Sequence, residues 1–353
     1  MDQRFILTDS AQSPLICGLP DDIAFLCLAR VAREYHALLK CVSKRWRELV
    51  CSEEWYFYRR KHNLDETWIY ALCRDQEEQL HCYVLDPNQL RRGWKCIRGL
   101  PLRSLKRKGM GFEVLGNKAY ILGGCCWYED ACDEVYCYDA SMNSWNEAPP
   151  LSTGRCYFAC EALDDKIYAI GGQGPKSSDP CSWDTYDPHT NTWKSHVDPN
   201  VVPDIEDSMV FDGKIYIRCG SSAVSSHVYA VVYNLSSGTW EHADDDMVSG
   251  WRGPAVVVDN TLYVLDQSSG TRLMMWCKGK REWVAIGRLS SLFTMPPCRL
   301  VSIGKSIFVI GKGLRTVVVD VGNAGNAGGV LMSSSVRQWI SLGDVISCKT
   351  IAI

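Results

Sequence analysis

The sequence has little of what is typical of membrane, secreted or nucleic-acid-binding chains. Its longest apolar runs, such as Val228 to Tyr233, are far too short to cross a bilayer. The first residues show no basic segment followed by an apolar one, so no signal peptide is predicted. The formal net charge is only -3, from 38 Lys and Arg against 41 Asp and Glu. Such a balance supports neither nucleic acid nor an anionic membrane as a partner.

Cysteine is frequent, with 18 residues in 353, but too sparse for a small secreted scaffold held by disulfides. Because no signal peptide is predicted, we expect mostly reduced thiols in the cytoplasm or nucleus. Cys125, Cys126, Cys132 and Cys137 lie close together in the sequence. Their spacing fits no standard zinc finger and no histidine is nearby, so strand and loop cysteines are favoured over a zinc site.

Glycine is absent between Leu19 and Leu90 and becomes frequent afterwards, which divides the chain into two regions. In the first region Pro20, Asp21 and Asp22 suit a helix N-terminus, and apolar residues follow at steps of three and four. The second region alternates apolar and polar residues and predicts strands. We therefore predict a flexible N-terminus over residues 1–14, a helical module over 15–62 and a β domain over 67–353.

The second region contains an internal repeat. An aromatic residue recurs at intervals of 45 to 48 residues, and a tryptophan follows each of them 20 to 31 residues later. Repeats of this length are typical of solenoids and propellers. The aromatic residues are Tyr120, Tyr168, Tyr216, Tyr263 and Phe308, the tryptophans are Trp145, Trp193, Trp240, Trp283 and Trp339, and Tyr70 with Trp94 forms a degenerate first copy.

Each copy has the same internal order of strands and turns. A first strand ends in a two-residue turn, such as Gly116-Asn117, Asp164-Asp165 or Asp212-Gly213. These residue types tolerate positive φ in tight hairpins. A second strand, a long loop and two further strands follow. Four antiparallel strands in a repeat of about 50 residues predict one blade of a β-propeller, so six copies predict six blades.

The best copies resemble the kelch repeat. Its di-glycine and the following Tyr-Asp pair occur as Gly123-Gly124 with Tyr138-Asp139, and again as Gly171-Gly172 with Tyr186-Asp187. We expect the glycines to let backbones approach where blades converge, and the repeated tryptophan to fill the wedge between neighbouring blades. The fold predicted for the second region is an all-β, six-bladed kelch propeller.

The ends of the repeat region predict how the ring closes. The first copy begins at Thr67–Leu72, which matches the second strand of a blade, so its first strand is missing. The end of the chain parallels Cys298–Ile303, which opens the sixth copy. We therefore predict that residues 347–353 pair with Thr67–Leu72 as the innermost strand of the first blade, because an unpaired strand edge would otherwise remain. The irregular segment 322–335 makes the sixth blade the least regular.

The helical region resembles an F-box. Leu19-Pro20 at its start and Val42-x-x-x-Trp46 near its end match that motif without gaps, although Ala32 stands where the motif commonly has proline. The resemblance implies docking to the small adaptor protein of SCF-type cullin–RING ubiquitin ligases. A three-helix segment of about 45 residues also cannot bury all of its large aliphatic side chains. The predicted contact is formed by Leu19, Pro20, Ile23, Leu26, Leu28 and Val31, supported by Leu39, Val42 and Trp46.

An F-box followed by kelch repeats is similar to a large class of plant F-box/kelch-repeat proteins. The resemblance implies a non-catalytic substrate receptor, which binds the adaptor and through it the cullin and RING subunits, while the propeller binds a target protein. Two alternatives remain open. The helices could form a cap that packs wholly on the propeller, and the propeller could be a metabolic enzyme or a small-molecule sensor that uses its central channel.

The enzyme alternative has little support in the sequence. Seven histidines are scattered without metal-ligand spacing, and no phosphate-binding or dinucleotide-binding motif occurs. Glu129 and Asp133 resemble an iron-binding pattern of some kelch-type plant specifier proteins, but Cys137 stands where that pattern needs histidine. We therefore expect no catalytic residues, no cofactor and no metal. The charged segments Arg91–Lys108 and Asp244–Asp246 are interpreted as solvated loops.

The target-binding face is predicted to have the long loops, because variable loops on a rigid scaffold usually contain the recognition residues. Exposed Trp, Tyr and Arg side chains are common anchors. Arg155 is the weakest candidate, since Arg107 occupies the same repeat position. The predicted loops are 124–134, 173–182, 220–227, 266–272, 101–109, 149–155, 197–206 and 244–252, and the predicted anchors are Trp127, Tyr128, Arg155, Trp251, Arg252 and Arg272.

Overall fold

The chain forms two compact units. A computed structural model describes residues 14–101, 106–126, 130–175, 179–201, 203–220, 228–268, 270–322, 331–336 and 343–353. One unit contains the residues up to Glu66 together with Ala352–Ile353, and the other contains Thr67–Ile351. Of the N-terminus predicted to be flexible, residues 1–13 lie outside the described residues.

The first unit is helical and has one helix more than the three expected. Ser43 and Ser52 have extended backbones and interrupt the apolar pattern. The Ser43 hydroxyl accepts the Trp46 N–H at 3.1 Å, and the Ser52 hydroxyl accepts the Trp55 N–H at 3.2 Å, so each serine begins a new helix as its N-cap. The helices are α1 (Asp21–Ala29), α2 (His36–Val42), α3 (Lys44–Cys51) and α4 (Glu53–Lys61), and a 3-10 turn spans Arg33–Tyr35.

The core of the helical unit combines apolar packing with one buried cation. Leu28, Leu39 and Trp55 are buried side by side. The Arg59 side chain is 1% exposed, donates to the Ala29 and Val31 carbonyls and pairs with the Glu66 carboxylate at 3.3 Å. Because these groups bind the guanidinium, its burial does not leave an uncompensated charge.

The second unit is a propeller of six four-stranded antiparallel sheets in the described residues. Blade 1 contains β1 (Thr67–Arg74), β2 (Leu80–Leu85) and β3 (Lys95–Ile97), and blade 2 contains β4 (Gly111–Leu115), β5 (Lys118–Leu122), β6 (Val135–Asp139) and β7 (Ser144–Ala148). Blade 3 contains β8 (Ala159–Leu163), β9 (Lys166–Ile170), β10 (Ser182–Asp187) and β11 (Thr192–Val197), and blade 4 contains β12 (Ile205–Phe211), β13 (Lys214–Cys219), β14 (Tyr229–Asn234) and β15 (Thr239–His242). After helix α5 (Asp245–Gly250), blade 5 contains β16 (Ala255–Val258), β17 (Thr261–Asp266), β18 (Arg272–Cys277) and β19 (Glu282–Arg288), and blade 6 contains β20 (Arg299–Ile303), β21 (Ser306–Gly311), β22 (Arg315–Asp320) and β23 (Leu331–Val336).

The last strand, β24 (Asp344–Ala352), closes the ring as predicted. The strand order in blade 1 is β24-β1-β2-β3, so the end of the chain supplies the missing first strand. Lys349 on β24 pairs with Glu113 on β4 and, at 3.6 Å, with Glu161 on β8. The predictions of six blades and of a closing C-terminal strand are both confirmed. Trp339 and most of the irregular segment before β24 lie outside the described residues.

The repeated glycines and tryptophans have the packing roles expected of them. A side chain on Gly123 would place its Cβ only 2.4 Å from the Arg155 carbonyl oxygen, so the close approach of blade and linker requires glycine there. The Trp193 indole donates to the Pro149 carbonyl at 2.9 Å and so joins blade 3 to the linker that follows blade 2. The hairpin turn Asp164-Asp165 has φ of 47° and 55°, as the turn composition predicts.

We predict that acid selectively destabilises the helical unit through His36. Burial and the nearby Arg59 lower the pKa of His36 from 6.5 to about 3, while its Nε2–H donates to the Val31 carbonyl at 3.2 Å. Because the pKa of His36 is lower in the folded state than in the unfolded state, neutral His36 contributes to the free energy of unfolding. This contribution is complete above pH 6.5 and is lost as the pH falls towards 3. Between pH 7 and pH 5 the loss is about 2 kcal/mol.

Hydrogen exchange of the α2 and α3 amides, corrected for the intrinsic effect of pH, measures this loss. His36→Gln retains an N–H donor for the Val31 carbonyl but cannot be protonated, so its helices should be less sensitive to acid. Equal acid sensitivity in the two proteins would show that His36 is not the titrating group.

Candidate functional site

The helical unit exposes a set of large aliphatic side chains. On α1, Ala24 and Leu28 face inward, whereas Ile23 is 40% exposed. On α2, Leu39 faces inward, whereas the exposed fractions of Leu38 and Val42 are 64% and 60%. This division follows from the helical period, which places residues four apart on one face. Leu19, just before α1, is 37% exposed. Exposed apolar side chains concentrated on two short helices are typical of a partner-binding surface.

The residues predicted to dock an adaptor fall into three groups. Leu19, Pro20, Ile23 and Val42 are exposed, and Leu26, Val31 and Trp46 are half-buried. Leu39 is buried, which suits the supporting role expected of it. Leu28 is 4% exposed because it faces the core, so the expectation that its side chain contacts a partner directly is wrong for this conformation. Leu38, the most exposed of the aliphatic residues on α2, was not among the predicted contacts.

An apolar groove of about 550 Å³ lies between α1, α3 and α4. Phe25, Leu26 and Leu49 form part of its wall. Asp21 at its rim accepts the Leu15 N–H at 2.8 Å and pairs with Arg45, and these two interactions lower the pKa of the Asp21 carboxyl. The rim therefore stays charged at neutral pH while the wall remains apolar.

The propeller contains a second cavity, of about 360 Å³, where the first strands of all six blades meet. Glu113, Glu161 and Asp207 place carboxylates at this channel. Burial raises the pKa of Glu113 to about 7 against the opposing effect of Lys349, and burial raises the pKa of Asp207 to about 6. Desolvation of these carboxyl groups is thus only partly compensated by neighbouring cations.

The mouth of the channel opens on the face with the long loops. In an antiparallel blade the loops between second and third strands leave the same end as the linkers between blades. Gly109, Tyr157 and Pro254 belong to three of these linkers and line the cavity. The channel mouth therefore lies on the loop face that was predicted to bind the target.

Two predicted target anchors are buried, which contradicts the expectation that they are exposed. Trp251 is 0% exposed, packs between blades 4 and 5 and donates its indole N–H to Asp207 at 3.0 Å. Arg155 is 2% exposed, pairs with Asp184 at 3.2 Å and donates to the Gly171 and Ser182 carbonyls. Both side chains stabilise the propeller and cannot serve as surface anchors.

The remaining predicted anchors have different positions. Arg252 is exposed. Arg272 is half-buried and pairs with Asp266 at 3.0 Å. Trp127 and Tyr128 lie outside the described residues.

The segment predicted as the loop 244–252 contains helix α5. Asp244 caps this helix by accepting the Asp246 N–H at 2.9 Å, and both carboxylates pair with Arg281 at 2.9 and 3.1 Å. The Trp283 indole donates to the Met247 carbonyl at 3.0 Å, which holds α5 against β19. The acidic run thus has a capping and pairing role in place of the solvated loop expected.

Two exposed residues of the loop face were missed by the sequence analysis. Tyr157 is 48% exposed at the channel mouth and has φ of +54°, which is uncommon for a residue other than glycine. Leu292, in the linker before blade 6, is 70% exposed. Tyr157 lies two residues before β8, and Gly109, which also lines the cavity, lies two residues before β4, so this repeat position is brought to the channel mouth.

The described part of the chain holds no group of three His, Cys, Asp or Glu side chains placed to bind a metal ion. Cys137 lies buried on β6, and Glu129 is outside the described residues. In the same part of the chain, no helix is both long enough and apolar enough to span a membrane.

Comparisons with known proteins agree on both regions. The family model for the FKB95 kelch-repeats domain matches residues 69–320, and the F-box domain model matches residues 16–58. The chain is 56% identical to the F-box/kelch-repeat protein SKIP4 of Arabidopsis thaliana, over 99% of this chain and 98% of that protein. It is 28% identical to the F-box/kelch-repeat protein At1g67480 of the same organism, over 77% and 73%. A solved structure titled "Structure of YjhT" superposes with a TM-score of 0.52 at 13% identity, over 75% of this chain and 97% of that one, which supports the propeller fold alone.

Proposed function

The chain belongs to the F-box/kelch-repeat proteins, and we propose on that premise that it is a substrate receptor of an SCF-type cullin–RING ubiquitin ligase. The observation that favours this role most is the presence of two separate surfaces on one chain. Exposed aliphatic residues lie on α1 and α2 of the F-box, and a channel mouth with an exposed aromatic residue lies on the loop face of the kelch propeller.

The F-box surface is proposed to bind the SCF adaptor through Leu19, Ile23, Leu38 and Val42. Each of these side chains is at least one-third exposed. Covering such a side chain contributes on the order of 1–2 kcal/mol, so four together could support a stable complex. Leu28 and Leu39 hold α1 and α2 together from within the core. Through the adaptor, the cullin and RING subunits would join the assembly.

The channel mouth is proposed to bind the target protein. Tyr157 and Leu292 offer exposed apolar area, and Arg252 offers an exposed cation on the same loop face. These residues stand on linkers fixed by the blades, which is the arrangement in which loops recognise partners with little loss of entropy.

The chain itself is proposed to transfer no chemical group. Its contribution would be to hold a target near the charged conjugating enzyme, which raises the effective concentration of the reacting groups. We also propose that it works in the cytoplasm or nucleus, where most of its 18 cysteines would stay reduced.

Adaptor binding tests the first half of this proposal. Ile23→Asp and Val42→Asp, made in the full chain, should each weaken binding of a purified SCF adaptor subunit at least tenfold, because a carboxylate would be buried at the contact. Phe57→Asp is the matched control, since Phe57 on α4 is 69% exposed but lies outside the proposed surface. Unchanged affinity in both test variants, measured by calorimetry on proteins with intact helical circular dichroism, would contradict adaptor docking at this surface.

Target capture tests the second half. In cells with the proteasome inhibited, the double variant Tyr157→Ala, Arg252→Ala should lose the proteins captured by the unmodified chain while it still captures the adaptor. Lys280→Ala is the control, because that side chain is 77% exposed on a tight turn between β18 and β19, away from the loop face. A double variant that retains every captured protein would show that targets bind elsewhere.

A further inference from the structure

Three cysteines from two loop segments come together beside the channel mouth. Cys125 belongs to the loop between β5 and β6, as does Cys132, and Cys156 belongs to the linker that leads into β8. The electrostatic environment of the Cys156 thiol includes both of the other thiols. The nearby Cys137 is buried on β6.

A network of backbone hydrogen bonds fixes the positions of Cys125 and Cys156. The residues before them are joined directly, since the Gly124 N–H donates to the Arg155 carbonyl at 2.9 Å. Cys125 then exchanges two hydrogen bonds with Lys108, at 2.8 and 2.9 Å, and Cys156 exchanges two with Gln173, both at 2.8 Å. The two cysteines therefore stand side by side on a rigid backbone although they are far apart in the sequence.

The two thiols also affect each other electrostatically. The Cys125 thiol adds to the burial that raises the pKa of the Cys156 thiol. Cys156 is 3% exposed, whereas Cys125 is half-buried and open to a reagent from solvent. The second cysteine of the same segment, Cys160, is 9% exposed and lies on the side of β8 that faces Glu113.

We propose that Cys125 and Cys156 are a reversible dithiol–disulfide pair, oxidised by low-molecular-weight disulfides of the glutathione type. The pair is a modification site that ties the β5–β6 loop to the linker carrying Tyr157. Its formation does not depend on the ligase function proposed above.

The exchange proceeds in two balanced steps. The Cys125 thiolate attacks one sulfur of glutathione disulfide, the glutathione S–S bond breaks, and the released thiolate takes up a proton as the first glutathione. The Cys156 thiol then loses its proton to solvent and attacks the Cys125 sulfur of the mixed disulfide, which releases the second glutathione. In total, the two protein thiols lose two electrons and one glutathione disulfide gains them.

The order of the steps follows from the environments of the two thiols. Burial raises the pKa of Cys156 to about 12, so little of it is thiolate near neutral pH. Cys125 is the more accessible sulfur and reacts first with glutathione disulfide, and Cys156 completes the protein disulfide in a slower step. That second step should become faster as the pH rises from 7 to 8.5, because the thiolate fraction of Cys156 rises with it.

Peptide mapping tests the proposal on the full-length protein. Trypsin cuts after Lys118, Arg155 and Lys166, so Cys125 and Cys156 fall on different peptides. After incubation of the reduced, folded protein with millimolar glutathione disulfide and alkylation of remaining thiols, these two peptides should be linked in most molecules. Dithiothreitol should separate them again.

Single variants identify the sulfurs that react. Cys125→Ser and Cys156→Ser should abolish the linked peptide pair, whereas Cys126→Ser and Cys160→Ser, which change the neighbouring thiol on each peptide, should retain it. A linked pair that survives Cys125→Ser, a mixture of links to several cysteines, or glutathione held on Cys125 without any link would overturn the proposal. Hydrogen exchange of residues 123–126 and 155–158 gives an independent readout, since oxidation should slow it and reduction should restore it.

Discussion

The pairing of β24 with β1 is the contact on which the propeller depends. Five blades take all four strands from one continuous stretch of chain, but blade 1 takes its first strand from the far end. Without that strand, β1 would present an unpaired edge beside the channel, and the polar backbone groups of both neighbours would lose partners. Lys349 adds a specific electrostatic contact, because it pairs with carboxylates on the next two blades, Glu113 and Glu161. Closure thus joins blade 1 to blades 2 and 3 at once.

Closure also creates the surface on which target binding is proposed. The first strands of six blades meet around one cavity, and the linkers that lead into them place Tyr157 and Pro254 at its mouth. The helical unit, in contrast, has its own small core around Leu28 and Trp55, so its aliphatic surface on α1 and α2 is set by local helical periodicity. One chain therefore presents two surfaces whose geometry has different physical origins.

The architecture was predictable from the sequence because the same pattern of strands and turns occurs in several copies. Turn residues such as Asp164-Asp165, the glycines and the spaced tryptophans recur in several blades, and the closing strand followed from the one strand that blade 1 lacked. The linkers have no such redundancy. Trp251 is buried because helix α5 fills the wedge between two blades, and Arg155 is buried because Asp184 lies 3.2 Å away on β10. Neither fact is visible in residue type, since exposed and buried Trp or Arg look alike in a sequence.

The most direct test of this account is to remove the closing strand. A chain that ends before Ser347 lacks Lys349 and most of β24, and its urea unfolding can be followed by tryptophan fluorescence beside that of the full chain. The account predicts that the truncated propeller either becomes insoluble or loses its single cooperative transition, with unfolding that begins at much lower urea. A truncated chain that unfolds at the same midpoint and with the same cooperativity would contradict the claim that β24 holds the ring together.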